Sequence, residues 1–170
     1  VCLRTNTLVT TRERLLTELT ELTGAGAELE PSRWCAEGIV VRKLGTLGLG
    51  ELLAKFPDSF YVQDESSMLV AGLVAPQPGM AVLDMCSAPG GKTTHLAQLM
   101  QNKGSIIACD VHEHKLQLIA ENAARLGISI IKPTLNDGTV LRAEWLGKFD
   151  RVLVDAPCSG MGVLRRRAEA

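Results

Sequence analysis

A glycine-rich turn is the part of this sequence best suited to chemistry. It reads DMCSAPGGKTTH from Asp84 to His95, after an apolar stretch and before a helical pattern. Gly90 and Gly91 would let a ligand approach the backbone closely, and the N–H groups at a helix start attract anions. The turn therefore predicts a site for a ligand that carries a phosphate or a carboxylate.

Three kinds of ligand compete for such a turn. A phosphate loop needs glycine where this sequence has Cys86, and Pro89 removes one N–H that a phosphate would use. The Gly-x-Gly-x-x-Gly spacing of a dinucleotide site is absent. S-adenosylmethionine has a carboxylate for the helix start and a ribose that needs an acceptor. Asp110, at the end of the next predicted strand, is placed to accept from it.

Acidic residues follow three successive predicted strands. Asp110 stands in ACD, Asp137 in NDG and Asp155 in DAPCSGMG. Each could cap a helix instead. However, ligands of parallel sheets bind beyond the carboxyl ends of the strands. We therefore expect Asp110 to meet a ribose and Asp137 to meet an adenine edge or a ribose.

The run DAPCSGMG (155–162) forms a second signature. Asp155 can hydrogen-bond an amino group or a ring nitrogen that becomes more basic during a reaction. Pro157 stiffens the turn, and Cys158 is a nucleophile or acid/base candidate if its thiolate is accessible. We expect these three side chains to project into the same crevice as the glycine-rich turn.

Alternating strands and helices must position these residues. The sequence predicts strands at 81–85, 105–109, 128–132 and 151–154, and helices at 91–100 and 113–126, with Pro133 just beyond the third strand. Continuously apolar strands that alternate with helices indicate a parallel sheet covered on both faces. The predicted class is thus α/β, with a Rossmann-like sheet in residues 79–170.

Residues 1–62 predict a small α+β subdomain, and residues 63–78 a connecting helix and linker. The order βαββαβ has strands at 2–4, 27–29, 39–41 and 60–62 and helices at 10–22 and 49–56. This ferredoxin-like or RRM-like layout is common among RNA-binding modules. The exposed strand aromatics of such modules are missing, so a plain supporting role stays open. Trp34 and Trp145 are expected to be packing residues.

Composition limits the class of protein. Hydrophobic residues make up 46% of the 170 residues and charged residues 22%, which is typical of a globular domain. Five cysteines without a Cys-x-x-Cys pair argue against a disulfide framework or a zinc site. We expect a monomer in the cytoplasm, with no membrane and no metal. The chain begins at Val1 and ends at Ala170 in an arginine-rich stretch, so we expect a fragment.

Charge is distributed unevenly along the chain. The net charge of −1 combines −3 up to Pro76 with +2 after it. The basic cluster Arg165-Arg166-Arg167 either meets RNA phosphates or forms a solvated loop. Near-neutral charge therefore does not exclude RNA as a partner.

With these motifs in view, the chain resembles the Sun/Fmu family of RNA (cytosine-5) methyltransferases, close to bacterial members that modify small-subunit ribosomal RNA. The resemblance rests on LRTNT, VQDESSMLVA, DMCSAPGGKTTHLA, CD, NDG and DAPCSG. It implies RNA as the partner, the first subdomain as an aid in holding RNA, and S-adenosylmethionine as the cofactor.

The resemblance also implies roles for particular residues. The methionine part of the cofactor would contact Cys86, Ser87, Ala88, Pro89, Gly90, Gly91 and Lys92. Asp110 would bind the ribose, Asp137 would lie on the adenosine side, and Asp155 would lie between cofactor and target base. In this family the attacking cysteine belongs to a Thr-Cys-Ser motif, and the Pro-Cys cysteine assists product release. The sequence has Cys158 but no Thr-Cys-Ser, so we expect Cys158 to be the accessory cysteine.

Three alternatives to this function stay open at the level of sequence. One is a methyltransferase of the same fold that acts on another substrate, and another is a non-catalytic RNA-binding relative. The third is a nucleotide-binding module of the phosphate-loop type, which would bind ATP instead of S-adenosylmethionine.

Overall fold

A computed structural model describes residues 1–156 of the chain, which form two four-stranded sheets. The first contains β1 (Cys2–Thr5), β2 (Ala27–Pro31), β3 (Gly38–Leu44) and β4 (Phe60–Val62), with helices α1 (Arg12–Thr23) and α2 (Leu49–Lys55). Helix α3 (Glu65–Val74) follows. The second contains β5 (Ala81–Asp84), β6 (Ser105–Asp110), β7 (Ile131–Leu135) and β8 (Arg151–Leu153), with α4 (Gly91–Leu99), α5 (Glu113–Arg125) and a 3₁₀ turn (Ala143–Trp145).

The first sheet is antiparallel and has the strand order β2-β3-β1-β4. With helices after β1 and β3, this is the predicted ferredoxin-like arrangement. One face of the sheet packs against α1 and α2 through buried Leu3, Leu15, Leu19, Leu52 and Phe60. The helical spacing of the leucines in α1 therefore reflects an apolar core between helix and sheet.

The opposite face of the first sheet is covered by the second half of the molecule. Arg4 and Tyr61 are paired across β1 and β4, and successive residues of a strand point to opposite faces. The Arg4 guanidinium reaches the Gly91 carbonyl in α4 at 2.5 Å. A Cβ built on Gly38 of β3 would lie 3.3 Å from the Met68 sulfur in α3. RNA-recognition modules of this layout use that face for nucleotides, and here it packs against helices.

The second sheet is parallel, with the order β7-β6-β5-β8. Its core contains fully buried Val82, Leu96, Met100 and Ile106. The parallel ladder and the apolar strands confirm the predicted α/β, Rossmann-like class. The division of the chain at residues 62 and 79 stays a prediction.

The predicted boundaries of the third parallel strand are wrong. Pairing with β6 begins at Ile131 and includes Pro133, which lies opposite Ala108. A proline is tolerated there because β7 is an edge strand of the described sheet, and its missing N–H interrupts no inner ladder. Ile128 precedes the strand and is buried in the core. The shift places Asp137 two residues after the true end of the strand.

Trp34 is not the packing residue that the sequence suggested. It lies between β2 and β3 with 72% of its surface exposed. Trp145 does pack, with its ring edge-on to Phe149 at 6.0 Å and beneath the Arg142 guanidinium at 4.8 Å. Within residues 1–156 no helix has the length and apolar content to cross a membrane. Pro157, Cys158 and the arginines at 165–167 lie outside the described residues.

Candidate active site

The glycine-rich turn joins the end of β5 to the start of α4. Ser87 fixes it, donating its hydroxyl to the Asp84 carbonyl and its N–H to the Cys109 carbonyl, both at 2.8 Å. Gly90 has a φ of +102°, and a Cβ there would lie 3.4 Å from Cα of Ile119. A side chain at position 90 would therefore be strained and crowded, which explains the glycine.

Asp84, at the end of β5, is a site residue that sequence reasoning missed. Its Oδ2 accepts the Thr93 hydroxyl at 2.7 Å, which ties the strand to α4. Its Oδ1 is buried and has no hydrogen-bond partner among the described residues. Burial raises the pKa of Asp84 to about 6. Its place at a strand end was the only signal in the sequence, because the burial that raises its pKa cannot be deduced from the sequence.

Asp110 ends β6, and its side chain is only 11% exposed. Oδ1 accepts the His112 N–H at 3.0 Å and lies 4.0 Å from the Lys115 ammonium. The carboxylate borders a hollow of about 110 Å³ that is also lined by Cys86 and Val111. An acceptor held in this way at a strand end suits the vicinal hydroxyls of a ribose.

Asp137 lies beside a second hollow of about 420 Å³, lined by Val111, Leu135 and Val140. The three apolar side chains are exposed and suit the faces of a flat ring such as adenine. The Asp137 carboxylate accepts the N–H and the hydroxyl of Thr139 at 2.9 and 2.7 Å. The Thr139 hydroxyl is the main cause that lowers the pKa of Asp137.

Asn136, the neighbour of Asp137, is a second residue that was missed as a functional group. It is buried beside both the 420 Å³ hollow and an apolar hollow near Trp145. Its Oδ1 accepts from Arg142 Nε at 2.5 Å. Its Nδ2 is buried without a partner in residues 1–156. The NDG motif located it, but its burial could not be deduced from the sequence.

Lys92 and Asp155 meet in a third hollow, of about 250 Å³. Lys92 Nζ lies 2.5 Å from Asp155 Oδ2, which joins the start of α4 to the end of β8. The walls come from the glycine-rich turn on one side and from Tyr61, Gln63 and neighbouring residues up to Ser67 on the other. The structure thus brings the two sequence signatures together, as far as Asp155.

Tyr61 links this hollow to the first sheet, and no motif in the sequence indicated its role. A Cβ on Gly91 would lie 3.1 Å from Cε1 of its ring. The guanidinium groups of Arg4 and Arg125 lie 5.2 and 5.6 Å from the ring centroid, within the range of a cation–π contact. The glycine at 91 therefore also serves the close approach of the first sheet to α4.

The three hollows form one crevice because they share lining residues. Cys86 borders the first and the third, and Val111 borders the first and the second. The crevice lies beyond the carboxyl ends of β5, β6 and β7, where ligands of parallel sheets bind. A helix start, a carboxylate acceptor and an apolar slot follow one another along it. This set of groups fits the methionine, ribose and adenine parts of S-adenosylmethionine.

Burial favours the protonated thiol at both Cys86 and Cys109. Burial is the main cause that raises the pKa of Cys86, which lines the crevice. Burial also raises the pKa of Cys109, behind Cys86, to about 11. A thiol attacks only as the thiolate, so neither residue is prepared as a nucleophile. Among the described residues, no cluster of three metal-ligating side chains is found.

Three known proteins match the chain over more than nine-tenths of its length. The "Probable ribosomal RNA small subunit methyltransferase B" of Bacillus subtilis is 42% identical over 98% of this chain and 36% of that protein. The crystal structure of a methyltransferase homolog from Pyrococcus horikoshii superposes with a TM-score of 0.81 at 33% identity, over 97% of this chain and 52% of the other. The crystal structure of NSun6 from Pyrococcus horikoshii with SFG superposes with a TM-score of 0.77 at 25% identity, over 92% of this chain and 62% of the other.

Fold and crevice together define a Rossmann-like domain of the class found in S-adenosylmethionine-dependent methyltransferases. Residues 71–170 match the family model described as 16S rRNA methyltransferase RsmB/F. The chain belongs to that family, which rejects the phosphate-loop alternative. It spans about a third of the Bacillus relative and about half of the Pyrococcus homolog.

Proposed function

We propose that this chain is part of an enzyme that methylates carbon 5 of cytosine in RNA, with small-subunit ribosomal RNA as the substrate. The observation that carries the proposal is the crevice, in which the glycine-rich turn, Asp110 and the Lys92–Asp155 pair lie along one sheet edge. The likeness to a relative named for small-subunit ribosomal RNA supports the choice of substrate.

In this proposal, different described residues bind different parts of the cofactor. When bound, S-adenosylmethionine supplies a methyl group activated by a sulfonium sulfur. The turn from Cys86 to Lys92 holds the methionine end, helped by the N–H groups at the start of α4. Asp110 accepts hydrogen bonds from the ribose, and Asp137 lies on the adenosine side. Asp155 lies between this site and the target base.

The target base needs activation because carbon 5 of cytosine is a poor nucleophile. Addition of a thiolate to carbon 6 turns the ring into an enamine whose carbon 5 can attack a methyl group. Asp155, held by Lys92 at 2.5 Å, can hydrogen-bond the ring side that becomes more basic, and such help contributes about 10²–10⁴-fold. The target base must leave its stack to enter the crevice.

In this proposal, one cysteine attacks the target base and a second cysteine assists release of the product. The attacking thiolate belongs to a Thr-Cys-Ser segment, which these 170 residues do not contain. Cys158 assists release of the product after the proton leaves carbon 5. In the full-length protein, Cys158→Ala should leave covalent RNA adducts that persist or accumulate on denaturing gels. Loss of the adducts would show instead that Cys158 is the attacking residue.

The reaction itself is tested by bisulfite sequencing of cellular RNA with and without the gene. We expect one cytosine of small-subunit ribosomal RNA to lose its protection from conversion when the gene is deleted. The protection should return with the wild-type gene and not with an Asp155→Ala variant. A changed cytosine in another RNA would correct the substrate, and an unchanged map in all RNA would reject the function.

A further inference from the structure

The first sheet cannot hold RNA on the face that RNA-recognition modules of this layout use, because both of its faces are covered. Its α1 and α2 side is an apolar core, and its other side packs on α3 and α4 through Arg4 and Tyr61. Both faces are therefore covered within residues 1–156. Any contact of this subdomain with RNA must come from its loops and edges.

The loop between β2 and β3 presents the most exposed aromatic side chain of the described residues. Trp34 is 72% exposed, whereas Tyr61, Trp145 and the three phenylalanines are buried or half-buried. Its ring has no aromatic or cation–π contact within residues 1–156. Base–aromatic stacking needs such a free face, and it accepts any base because every base has a π-face.

This loop is held rigidly beneath the exposed ring. The buried Ser32 hydroxyl accepts the N–H groups of Trp34 and Cys35 at 3.1 Å. The same hydroxyl donates to Glu65 Oε1 at 2.5 Å. The buried Cys35 thiol lies 3.6 Å from the Glu65 carbonyl. A fixed platform loses little conformational freedom when a base stacks on it, which favours binding.

The loop is anchored to the start of α3, the helix that contributes to one wall of the crevice. Glu65, its anchor, begins α3, and Ser67, two residues later in the same first turn, lines the hollow of Lys92 and Asp155. A nucleotide next to a base in that hollow would leave the crevice along this helix start. The position therefore suits an RNA strand that continues from the target cytosine.

Charge on the loop favours a nucleic acid over an apolar protein partner. Arg33 is exposed and has no ion-pair partner among the described residues. The one acidic residue of the segment 31–37 is Glu37, whose carboxylate is held by His95 in α4. A free guanidinium beside an exposed indole can meet a phosphate while the ring meets its base.

We propose that Trp34 is a stacking platform for an unpaired nucleotide that flanks the target cytosine, with Arg33 facing its phosphate. This subsite rests on the proposed function, since it extends the RNA beyond the crevice. It gives the first subdomain a direct part in holding the substrate through a loop, where its sheet has none.

The test measures RNA binding by the full-length protein, using fluorescence anisotropy of labelled oligocytidylate. Trp34→Ala should weaken binding roughly 5- to 150-fold, the loss expected for one base stack. Trp34→Phe should keep most of the affinity because it keeps an aromatic face. Val9→Ala removes another exposed apolar side chain of the same subdomain and should leave the affinity unchanged.

Two further measurements distinguish a failure of the Trp34 subsite from a failure of the proposed function. The dissociation constant of S-adenosylmethionine should stay the same in Trp34→Ala, while KM for transcribed small-subunit ribosomal RNA rises. If Trp34→Ala binds RNA like the wild type, the subsite is rejected. A lower melting temperature of that variant would then show that Trp34 packs on protein instead. If the wild type forms 5-methylcytosine in no RNA, the proposed function fails, and the anisotropy result still decides the subsite.

Discussion

The two sheets of this molecule place their charged and polar residues differently. In the first region, the ion pairs Arg12–Glu13, Arg14–Glu18 and Arg42–Glu30 lie at the surface. Exposed pairs of this kind contribute little to stability because water and salt screen them. In the second region, Lys92–Asp155 and Lys115–Asp110 border the crevice. The ion pairs of Lys92 and Lys115 therefore mark a ligand site, and these three ion pairs of the first region mark a solvated surface.

Buried polar groups show where the two regions depend on each other. Arg4 is fully buried and donates to the Thr94 hydroxyl at 2.8 Å, to the Gly91 carbonyl and to the Gln63 side chain. Asn6 accepts from Gln98 at 2.7 Å. Both contacts hold the first sheet to the helix that starts at the glycine-rich turn. The antiparallel sheet thus supports the crevice without lining most of it.

Loss of the buried Arg4 should have the largest effect on stability. Arg4→Ala leaves a cavity and removes the donor of buried acceptors, so we expect a loss of about 3–5 kcal/mol in the free energy of unfolding. Arg14→Ala removes an exposed arginine of the same region and should change it by about 0.5 kcal/mol or less. Denaturant unfolding of the full-length variants measures both. Equal effects would contradict the supporting role of the first sheet.

A methyl group at Gly90 should damage the crevice more selectively. Gly90→Ala puts a side chain at a φ of +102° beside Ile119 and should weaken S-adenosylmethionine roughly tenfold, equal to about 1.4 kcal/mol. Gly127→Ala provides the control, because Gly127 also has a positive φ, of +69°, but faces open space. Both changes should lower the melting temperature. Calorimetry that finds the same loss of cofactor affinity in both would overturn the assignment of the turn.

The smallest effect concerns the protonation of Asp84. Folding raises its pKa from 3.8 to about 6, so the folded state binds this proton more tightly than the unfolded state. Its contribution to stability is then greatest below pH 3.8 and is lost as the pH rises through 6. Asp84→Asn should flatten the melting temperature between pH 4 and 6 and raise it at pH 8. An unchanged pH profile would show that Asp84 is not the titrating group.

Much of the architecture follows from local patterns. Apolar runs gave the strands around Val82 and Ile106, and leucines at helical spacing gave α1. The acidic residues at strand ends located the crevice, because parallel strands share one carboxyl edge. These features depend on residues close together in the chain, and a sequence shows such relations directly.

What could not be predicted depends on distant contacts. The Gly91 carbonyl that Arg4 reaches is 87 positions away along the chain, so neither the covered sheet face nor the burial of Arg4 could be foreseen. Pro133 suggested the end of a strand because its place at a sheet edge was unknown. Trp34 was expected to pack, since only the folded loop shows that its side chain is exposed.

We infer that the edge of the parallel sheet binds S-adenosylmethionine through the Asp110 carboxylate. Calorimetric titration of the full-length protein tests it with wild type, Asp110→Ala and Asp58→Ala, the last removing an exposed carboxylate of the first region. Two hydrogen bonds to a charged acceptor are lost at Asp110, so we predict about 100-fold weaker binding. Asp58→Ala should bind like the wild type. Undiminished affinity in Asp110→Ala would contradict the role of this carboxylate in binding the cofactor.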